Sequence, residues 1–237
     1  MKHWFLSLAL IWIGAANAQM PVASDANNAQ NPCGPLRNPA YGPFDYRVAL
    51  PDQKSMVERI HFTPGVEMLQ TRTTGPFGGD IGYTLRAFPN HVRALASMQR
   101  LAEKEKRNPP EGAPYTVECF YERALRFQPN DYGVRLLYAN FLVGKGGIEE
   151  AERHLAYVAE TQADNPFAIY NIGLIYFDMK NYEQALAYAH KAMSMGLLRT
   201  ELKTRLEHVN KWVEATPETP GNPASASAAA SAASGAQ

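Results

Sequence analysis

The feature that most constrains this sequence is an internal repeat of 34 residues in its C-terminal half. Positions one period apart match in character: Tyr138 with Ile172, Ala139 with Gly173, Ala151 with Ala185, Leu155 with Ala189, and Val158 with Ala192. A period of this length is typical of stacked helical hairpins, none of which can bury its apolar face alone. The repeat therefore predicts an all-α fold in which successive two-helix units pack side by side.

The repeat also predicts how the two helices of a unit pack together. Small residues are expected where the helices approach closely: Ala139, Ala151, Gly173, Ala185 and Ala192. Large residues are expected to fill the remaining spaces: Tyr138, Leu142, Leu155, Ile172, Tyr176 and Tyr182. A larger side chain at Gly173 or Ala185 should therefore cost about 1–3 kcal/mol through overpacking.

The best repeat, residues 166–199, resembles the tetratricopeptide-repeat (TPR) family. The residues that carry the resemblance are NIGLIY at 171–176, YEQAL at 182–186 and Ala192. The resemblance extends over about residues 90–215 of the chain. It implies a helix-turn-helix solenoid that binds a peptide or protein partner and needs no cofactor.

The other repeats depart from the family pattern to different degrees. The repeat at 132–165 is close, although Leu142 stands where the family usually has Tyr. The repeat at 90–131 has a turn lengthened by the Pro-rich residues 108–114. Tyr83–Phe88 resembles the second helix of a degenerate earlier unit. About three hairpins are therefore expected.

The N-terminus carries the signs of an export signal. Lys2 and His3 precede Trp4–Ile13, an apolar run of about ten residues that is too short to cross a bilayer. Ala16-Asn17-Ala18 then supplies the small-x-small pattern that signal peptidase recognises, so cleavage is expected after Ala18. An uncleaved anchor is the alternative. The mature chain is expected in the periplasm or secreted, and not membrane-spanning after signal cleavage.

The chain has only two cysteines, Cys33 and Cys119. In an oxidising compartment an even number of cysteines favours a disulfide, and two allow a single intramolecular pairing. A bridge closing such a long loop contributes about 4–5 kcal/mol in the chain-entropy account. The alternative is two unpaired thiols, one in a loop and one in a helix.

Residues 33–80 form a module rich in proline, glycine and aromatic residues. A short helix is predicted around Asp52–His61, and a second is predicted to start at Pro64 with Thr63 as its cap. Gly75–Asp80 is predicted as a turn. Four runs resemble those of uncharacterised exported proteobacterial TPR proteins: Cys33–Pro35, Gly42–Arg47, His61–Pro64 and Leu85–His91.

Composition and spacing complete the predicted division of the chain. Apolar residues at helical spacing predict a terminal capping helix, and the Ala/Ser-rich tail lacks the apolar bulk to order itself. The segments are 1–18 signal peptide, 19–32 flexible leader, 33–80 irregular module, 81–199 TPR repeats, 200–214 capping helix and 215–237 disordered tail.

Lys+Arg and Asp+Glu both number 23, so no charge excess favours a nucleic-acid partner. The oligomeric state is left open.

The resemblance implies where a peptide would bind. In TPR peptide clamps two asparagines hold the ligand backbone, and Asn140 and Asn171 stand at those positions, with Arg205 as a cation for a carboxylate. The lysines of that clamp are absent, because Leu136 and Glu201 occupy their places. Four apolar residues are expected near the same face: Phe167, Tyr170, Leu174 and Phe177. The alternative is that the Tyr41–Tyr46 aromatics fill the groove.

No catalytic motif is present in the sequence. It lacks H-E-x-x-H, G-x-S-x-G, a P-loop and metal-type Cys/His spacing, so neither an enzyme nor a metal site is expected. The main prediction is a scaffold or adaptor that binds a polypeptide. A role in envelope assembly is suggested by analogy alone. The alternatives are a hydrolase-like enzyme using the region of His61 and Asp80, or a structural module that associates with itself.

Overall fold

The computed structural model describes residues 31–36 and 41–215. The predicted signal peptide, nearly all of the predicted leader and nearly all of the predicted tail lie outside these residues. Every regular element within them is helical, which confirms the all-α class. The helices are α1 (Pro51–His61), α2 (Pro64–Glu67), α3 (Phe77–Ala87), α4 (Val92–Glu105), α5 (Val117–Phe127), α6 (Tyr132–Gly144), α7 (Ile148–Thr161), α8 (Pro166–Asp178), α9 (Tyr182–Ser194) and α10 (Glu201–His208). None of these described helices is long and apolar enough to cross a bilayer.

Helices α4, α6 and α8 begin in the same way. Each follows a capping side chain, His91, Asp131 or Asn165, which accepts a hydrogen bond from the backbone N–H three residues further on. Such a cap satisfies one of the amide groups that the first helical turn leaves without a partner. The caps are 40 and then 34 residues apart, so the spacing in this part of the structure matches the sequence repeat after one longer interval.

The same three helices also end alike. The residues Lys106, Gly146 and Lys180 have φ values of 51°, 80° and 61°, in the left-handed region. The next backbone N–H then bonds to the carbonyl five residues earlier, with lengths of 3.2, 2.9 and 2.9 Å. This arrangement satisfies the last carbonyl groups of a helix and stops it. The first interval is longer because residues 108–114 lie between α4 and α5.

Helices α4, α6, α8 and α10 form a row in which each contacts the next. Behind this helix row, α6 packs against α7 and α8 against α9, while α4 contacts both α3 and α5. The predicted small residues are all buried: Ala139, Ala151, Gly173, Ala185 and Ala192. A Cβ atom at Gly173 would lie 2.7 Å from Cδ2 of Leu202 and 3.1 Å from Cβ of Tyr188. Close approach of α8 to α9 and α10 therefore requires the glycine.

The N-terminal segment is attached to α5. The predicted disulfide between Cys33 and Cys119 is confirmed, with the two Cα atoms 5.0 Å apart. Arg123 lies beside it and donates hydrogen bonds to the carbonyls of Cys33 (2.9 Å) and Pro35 (2.6 Å). The guanidinium of Arg123 also lies 4.4 Å from the ring centre of Tyr115. A covalent bond and a buried arginine thus fix the same short segment.

The module at 33–80 contains α1 and α2 at the predicted places, and the side chain of Thr63 accepts the N–H of Val66 as a cap. The prediction of a turn at Gly75–Asp80 was wrong in its second half, because α3 begins at Phe77. A Cβ atom at Gly78 would lie 2.4 Å from the carbonyl oxygen of Glu111. This glycine therefore allows α3 to pack against the loop before α5.

His91 joins the N-terminal module to α4. Its imidazole stacks on Tyr46 at 3.7 Å and meets the edge of Phe62 at 4.8 Å. Because Nδ1 accepts the N–H of Ala94, the neutral ring donates from Nε2 to Glu58 at 3.2 Å. Burial lowers the pKa of His91 and outweighs the opposing effect of the Glu58 carboxylate. The module is therefore docked through a buried, neutral histidine.

The aromatic residues of the module form a cluster of their own. Tyr41, Phe44 and Tyr46 pack with Val57, Ala87 and Phe88. The ring of Phe44 lies 4.9 Å from Tyr41 and 6.0 Å from Phe88. These side chains are thus occupied in a contact between α1 and the end of α3.

The last helix is shorter than predicted. Apolar spacing favoured a capping helix over 200–214, but α10 ends at His208. Asn210 takes a left-handed φ of 55°, which turns the chain away from the helix axis. Trp212 then lies against His190, with ring centres 4.8 Å apart. The chain after α10 therefore packs as an extended segment on α9.

Candidate functional site

A groove of about 410 Å³ runs along the helix row. Its walls come from all four helices of the row: Val92, Tyr132, Gly133, Leu136, Leu137, Asn140, Asn171, Leu174, Ile175, Asp178 and Arg205. Four of the predicted binding residues are among them: Asn140, Asn171, Leu174 and Arg205. Residues from distant parts of the sequence are thus brought to one surface.

The helical period explains why these side chains share the groove. On α8, Asn171, Leu174 and Asp178 are three or four residues apart and lie on one helix face. On α6, Leu137 and Asn140 have the same relationship. One repeat period relates Leu137 to Asn171 and Asn140 to Leu174. Asn140 and Asn171 are 31 residues apart, so the prediction that they occupy matching positions of successive repeats was wrong, although both line the groove.

The two asparagine side chains are both exposed and differ in their local bonding. Asn171 donates from Nδ2 to the carbonyl of Phe167 at 2.7 Å, one turn earlier in α8. Its Oδ1 atom and second N–H remain available to a ligand. The side chain of Asn140 makes no hydrogen bond within the described residues and is exposed. Each amide can therefore both donate to and accept from a ligand.

Arg205 is already engaged on the rim of the groove. Its Nη2 atom donates to Oδ1 of Asp178, and its guanidinium lies 4.2 Å from the ring centre of Phe177. A ligand carboxylate would have to compete with Asp178 for this cation. Arg205 thus lines the groove with its charge offset by Asp178, and its role as a cation for a ligand carboxylate stays a prediction.

The four predicted apolar residues do not form one patch. Tyr170 is 3% exposed, and its hydroxyl accepts a hydrogen bond from the N–H of Leu202 at 3.0 Å. It therefore belongs to the core, and the prediction that it contacts a ligand was wrong. Phe177 is half-buried beneath Arg205 and does not line the groove. Phe167 is 54% exposed at the start of α8. Only Leu174 lines the groove itself.

The apolar floor of the groove was not predicted from the sequence. It includes Leu136, Leu137 and Ile175, with Val92 and Tyr132 at one end. The signal that identifies Leu137 is the repeat period, because this residue is equivalent to Asn171. Val92 and Tyr132 each follow a capping residue at the start of a helix, and only the packing of α4 on α6 brings them together.

His61 and Asp80, the residues of the alternative enzymatic hypothesis, do meet. Nδ1 of His61 lies 2.9 Å from Oδ1 of Asp80, and the imidazole stacks on Tyr83 at 4.1 Å. Burial raises the pKa of the Asp80 carboxyl, but hydrogen bonds from Thr74 and His61 outweigh it, and the net shift is downward. The pair joins the end of α1 to the first turn of α3, away from the groove.

Within residues 31–36 and 41–215, no group of three or more His, Cys, Asp and Glu side chains is placed to hold a metal ion. Comparison with known proteins finds no matching family model, no matching curated protein and no matching solved structure.

Proposed function

We propose that this chain is an exported TPR protein that binds an extended segment of another polypeptide in the groove of the helix row. The observation that carries the proposal is the exposure of the Asn140 and Asn171 amides along one apolar surface. The protein would act as a scaffold or adaptor, and assembly of envelope structures is a setting that suits an exported adaptor.

The chemistry of the groove suits a peptide. An extended backbone presents N–H and C=O groups in alternation, and a primary amide can pair with both at once. Leu137 and Leu174 lie beside the amides and offer apolar contact to every second side chain of such a strand. Binding would therefore combine fixed backbone recognition with apolar side-chain preference.

Two further observations support the repeat family and the compartment. Helix caps and helix ends of the same geometry recur at intervals of 40 and 34 residues, as expected of a repeat protein with one lengthened turn. A disulfide that ties the N-terminal segment to α5 suits a protein that folds in an oxidising compartment.

Selection from a displayed library of random peptides of about 12 residues tests the proposal without a known partner. The affinity of an enriched peptide is then measured by fluorescence anisotropy. The double variant Asn140→Ala/Asn171→Ala loses two backbone hydrogen bonds of about 1 kcal/mol each, so its Kd should rise about 30-fold. Gln184→Ala removes an exposed amide on α9, outside the groove, and should leave Kd unchanged.

Equal affinity of the double variant and the wild type would overturn binding by the asparagines. Failure to enrich any peptide on the wild type would count against the groove as a peptide site. Size-exclusion chromatography with light scattering on the same protein tests the alternative of a self-associating module, for which a concentration-dependent increase in mass is expected.

The hydrolase-like alternative has one favourable observation, the hydrogen bond that orients His61 on Asp80. A carboxylate that orients an imidazole in this way is also the arrangement of a general base. Hydrolysis of p-nitrophenyl acetate by the wild type, lost in His61→Phe, would support this alternative. Equal rates in the two proteins would end it.

A further inference from the structure

A second cavity, which shares no lining residue with the groove, lies at the C-terminal ends of α4 and α6. It encloses about 290 Å³ between the C-terminal ends of α4 and α6 and the start of α5. Its lining residues are Gln99, Ala102, Glu103, Lys106, Arg107, Asn108, Val117, Phe141 and Lys145. None of them lines the groove, and no part of the proposed function uses them.

Three cations converge on this cavity. Lys106, Arg107 and Lys145 are exposed, and the ion pairs found among the described residues include none of them. Their positions are set by the backbone turns that end α4 and α6. The N–H of Arg107 bonds to the carbonyl of Ala102 at 3.2 Å, and the N–H of Lys145 bonds to that of Leu142 at 3.0 Å. The backbone at the ends of α4 and α6 therefore places these three residues around one cavity.

The acidic groups around the cavity do not balance these charges. Glu103 is the one carboxylate in the lining, and it accepts a hydrogen bond from the Gln99 amide at 3.0 Å. Glu118 lies nearby and accepts from the Asn108 amide at 2.6 Å. Both carboxylates thus have neutral partners, and the cavity lining carries three positive charges against one negative charge.

The floor of the cavity is apolar. Val117 and Phe141 are 1% and 4% exposed, and the ammonium group of Lys145 lies 5.5 Å from the ring centre of Phe141. A cation beside an apolar wall is less hydrated than one in open water, which strengthens its attraction to an anion. The cavity therefore suits a short side chain with a carboxylate at its end.

The cavity and the groove share α6 as a wall. Asn140 lines the groove, and the adjacent residue, Phe141, lines the cavity. On α4, Val92 lines the groove and Gln99, seven residues later, lines the cavity. Helices α4 and α6 thus each contribute to both sites, and a ligand that occupies both would run along these two helices.

We infer that this cavity binds Asp or Glu side chains of the polypeptide segment whose apolar part occupies the groove. This inference rests on the proposed function and adds the charge of the ligand to it. The cations involved are not those of a TPR carboxylate clamp, whose lysine positions hold Leu136 and Glu201 here. An acidic residue next to an apolar stretch is thus the expected signature of the partner.

Positive side chains in the last turn of a helix also stabilise the helix dipole, which offers a purely structural role for these residues. The two roles have different consequences. A structural role predicts a change in thermal stability when the charges are removed and no change in peptide preference. The binding role predicts the reverse.

The experiment is peptide selection on the purified full chain from the same random library. Peptides enriched on the wild type should contain Asp and Glu at about twice their frequency in the input library or more. The triple variant Lys106→Ala/Arg107→Ala/Lys145→Ala should lose this excess and keep the apolar preference. The best acidic peptide should bind it about tenfold more weakly at about 0.05 M salt, and the difference should shrink at about 0.5 M salt.

A matched control removes three other exposed cations, through Lys180→Ala/Lys191→Ala/Lys211→Ala. Lys180 occupies the left-handed turn that is equivalent to that of Lys106, and these three residues lie outside both sites. The control should retain the acidic preference. Thermal unfolding followed by circular dichroism verifies that both triple variants are folded.

The outcomes separate the inference from the proposed function. Enrichment without an excess of acidic residues, or equal binding of the acidic peptide by the wild type and the first triple variant, overturns the inference. The proposed function fails independently when Asn140→Ala/Asn171→Ala binds every enriched peptide as tightly as the wild type does.

Discussion

Gly173 provides the sharpest test of how the helices pack. An added Cβ atom would meet Cδ2 of Leu202 at 2.7 Å, Cβ of Tyr188 at 3.1 Å and the carbonyl oxygen of Ala185 at 3.4 Å. The leucine methyl group can rotate away, but the tyrosine Cβ moves only with the backbone of α9. Gly173→Ala should therefore push α8 away from α9.

Two opposing effects set the magnitude. Alanine is better than glycine in a helix interior by up to about 1 kcal/mol, while overpacking costs about 1–3 kcal/mol. Gly173→Ala should thus lose up to about 2 kcal/mol. Gly144, the last residue of α6, has no atom within 4 Å of an added Cβ and keeps only the favourable effect. The two alanine variants should therefore differ by about 1–3 kcal/mol.

Urea denaturation followed by far-UV circular dichroism measures this difference, because the two variants expose the same surface on unfolding and share a slope. Gly144→Ala should unfold at a higher urea concentration than the wild type, and Gly173→Ala at a lower one. The packing argument is wrong if Gly173→Ala is as stable as Gly144→Ala.

Three further predictions follow from single contacts. Replacing Cys33 and Cys119 by serine opens a loop with a sequence separation of 86 and should lower the free energy of unfolding by up to about 4–5 kcal/mol. Limited proteolysis of this variant should cut the N-terminal segment first. Tyr170→Phe leaves the N–H of Leu202 without its partner and should cost about 1–3 kcal/mol in urea denaturation, whereas an unchanged midpoint contradicts this role. Burial and two nearby arginines lower the pKa of His154 from 6.5 to about 4, so the unfolded chain binds this proton more readily than the folded chain does. The free energy of unfolding should therefore fall as the pH is lowered from 6.5 to 4, and after allowance for partial exposure the wild type should lose about 1–2 kcal/mol more than His154→Gln. Parallel profiles of stability against pH for the two proteins would refute the assignment.

The parts of the fold that were predictable carry a local or periodic signal. Thr63 before Pro64 marks the start of α2, because a hydroxyl cap followed by proline favours a helix whatever surrounds it. The pairing of Cys33 with Cys119 followed from there being no other cysteine to bond. The small residues were located by the repeat period, which records close helix contacts directly in the sequence.

The errors fall where tertiary contacts override local preference. Gly78 suggested a turn because glycine disfavours a helix by about 1 kcal/mol, yet a contact with the loop at Glu111 requires a residue without a side chain there. Val209 and Val213 continued the apolar spacing of α10, but the turn at Asn210 ended the helix before them. The contact at Glu111 has no signature in the residues beside Gly78, whereas Asn210 is a residue type that favours the left-handed conformation after a helix, and this local stop signal was missed.

Three polar residues of the groove were predicted from the sequence, but the contacts between its helices were not. Asn140 and Asn171 both line the groove, although they are 31 residues apart and not one repeat period. The contact of Arg205 with Asp178 and that of Tyr170 with Leu202 depend on how α10 crosses α8. Such an angle is set by packing of the whole row, so the sequence of either helix alone does not contain it.

The bond between Cys33 and Cys119 has a consequence for the order of events during synthesis. A chain synthesised from its N-terminus presents Cys33 long before Cys119, which lies 86 positions later in the sequence. Helices α1 to α4 lie entirely within that interval, so they can form and pack while Cys33 has no partner. The disulfide can therefore form last, and its role is then to attach the N-terminal segment to helices that form without it.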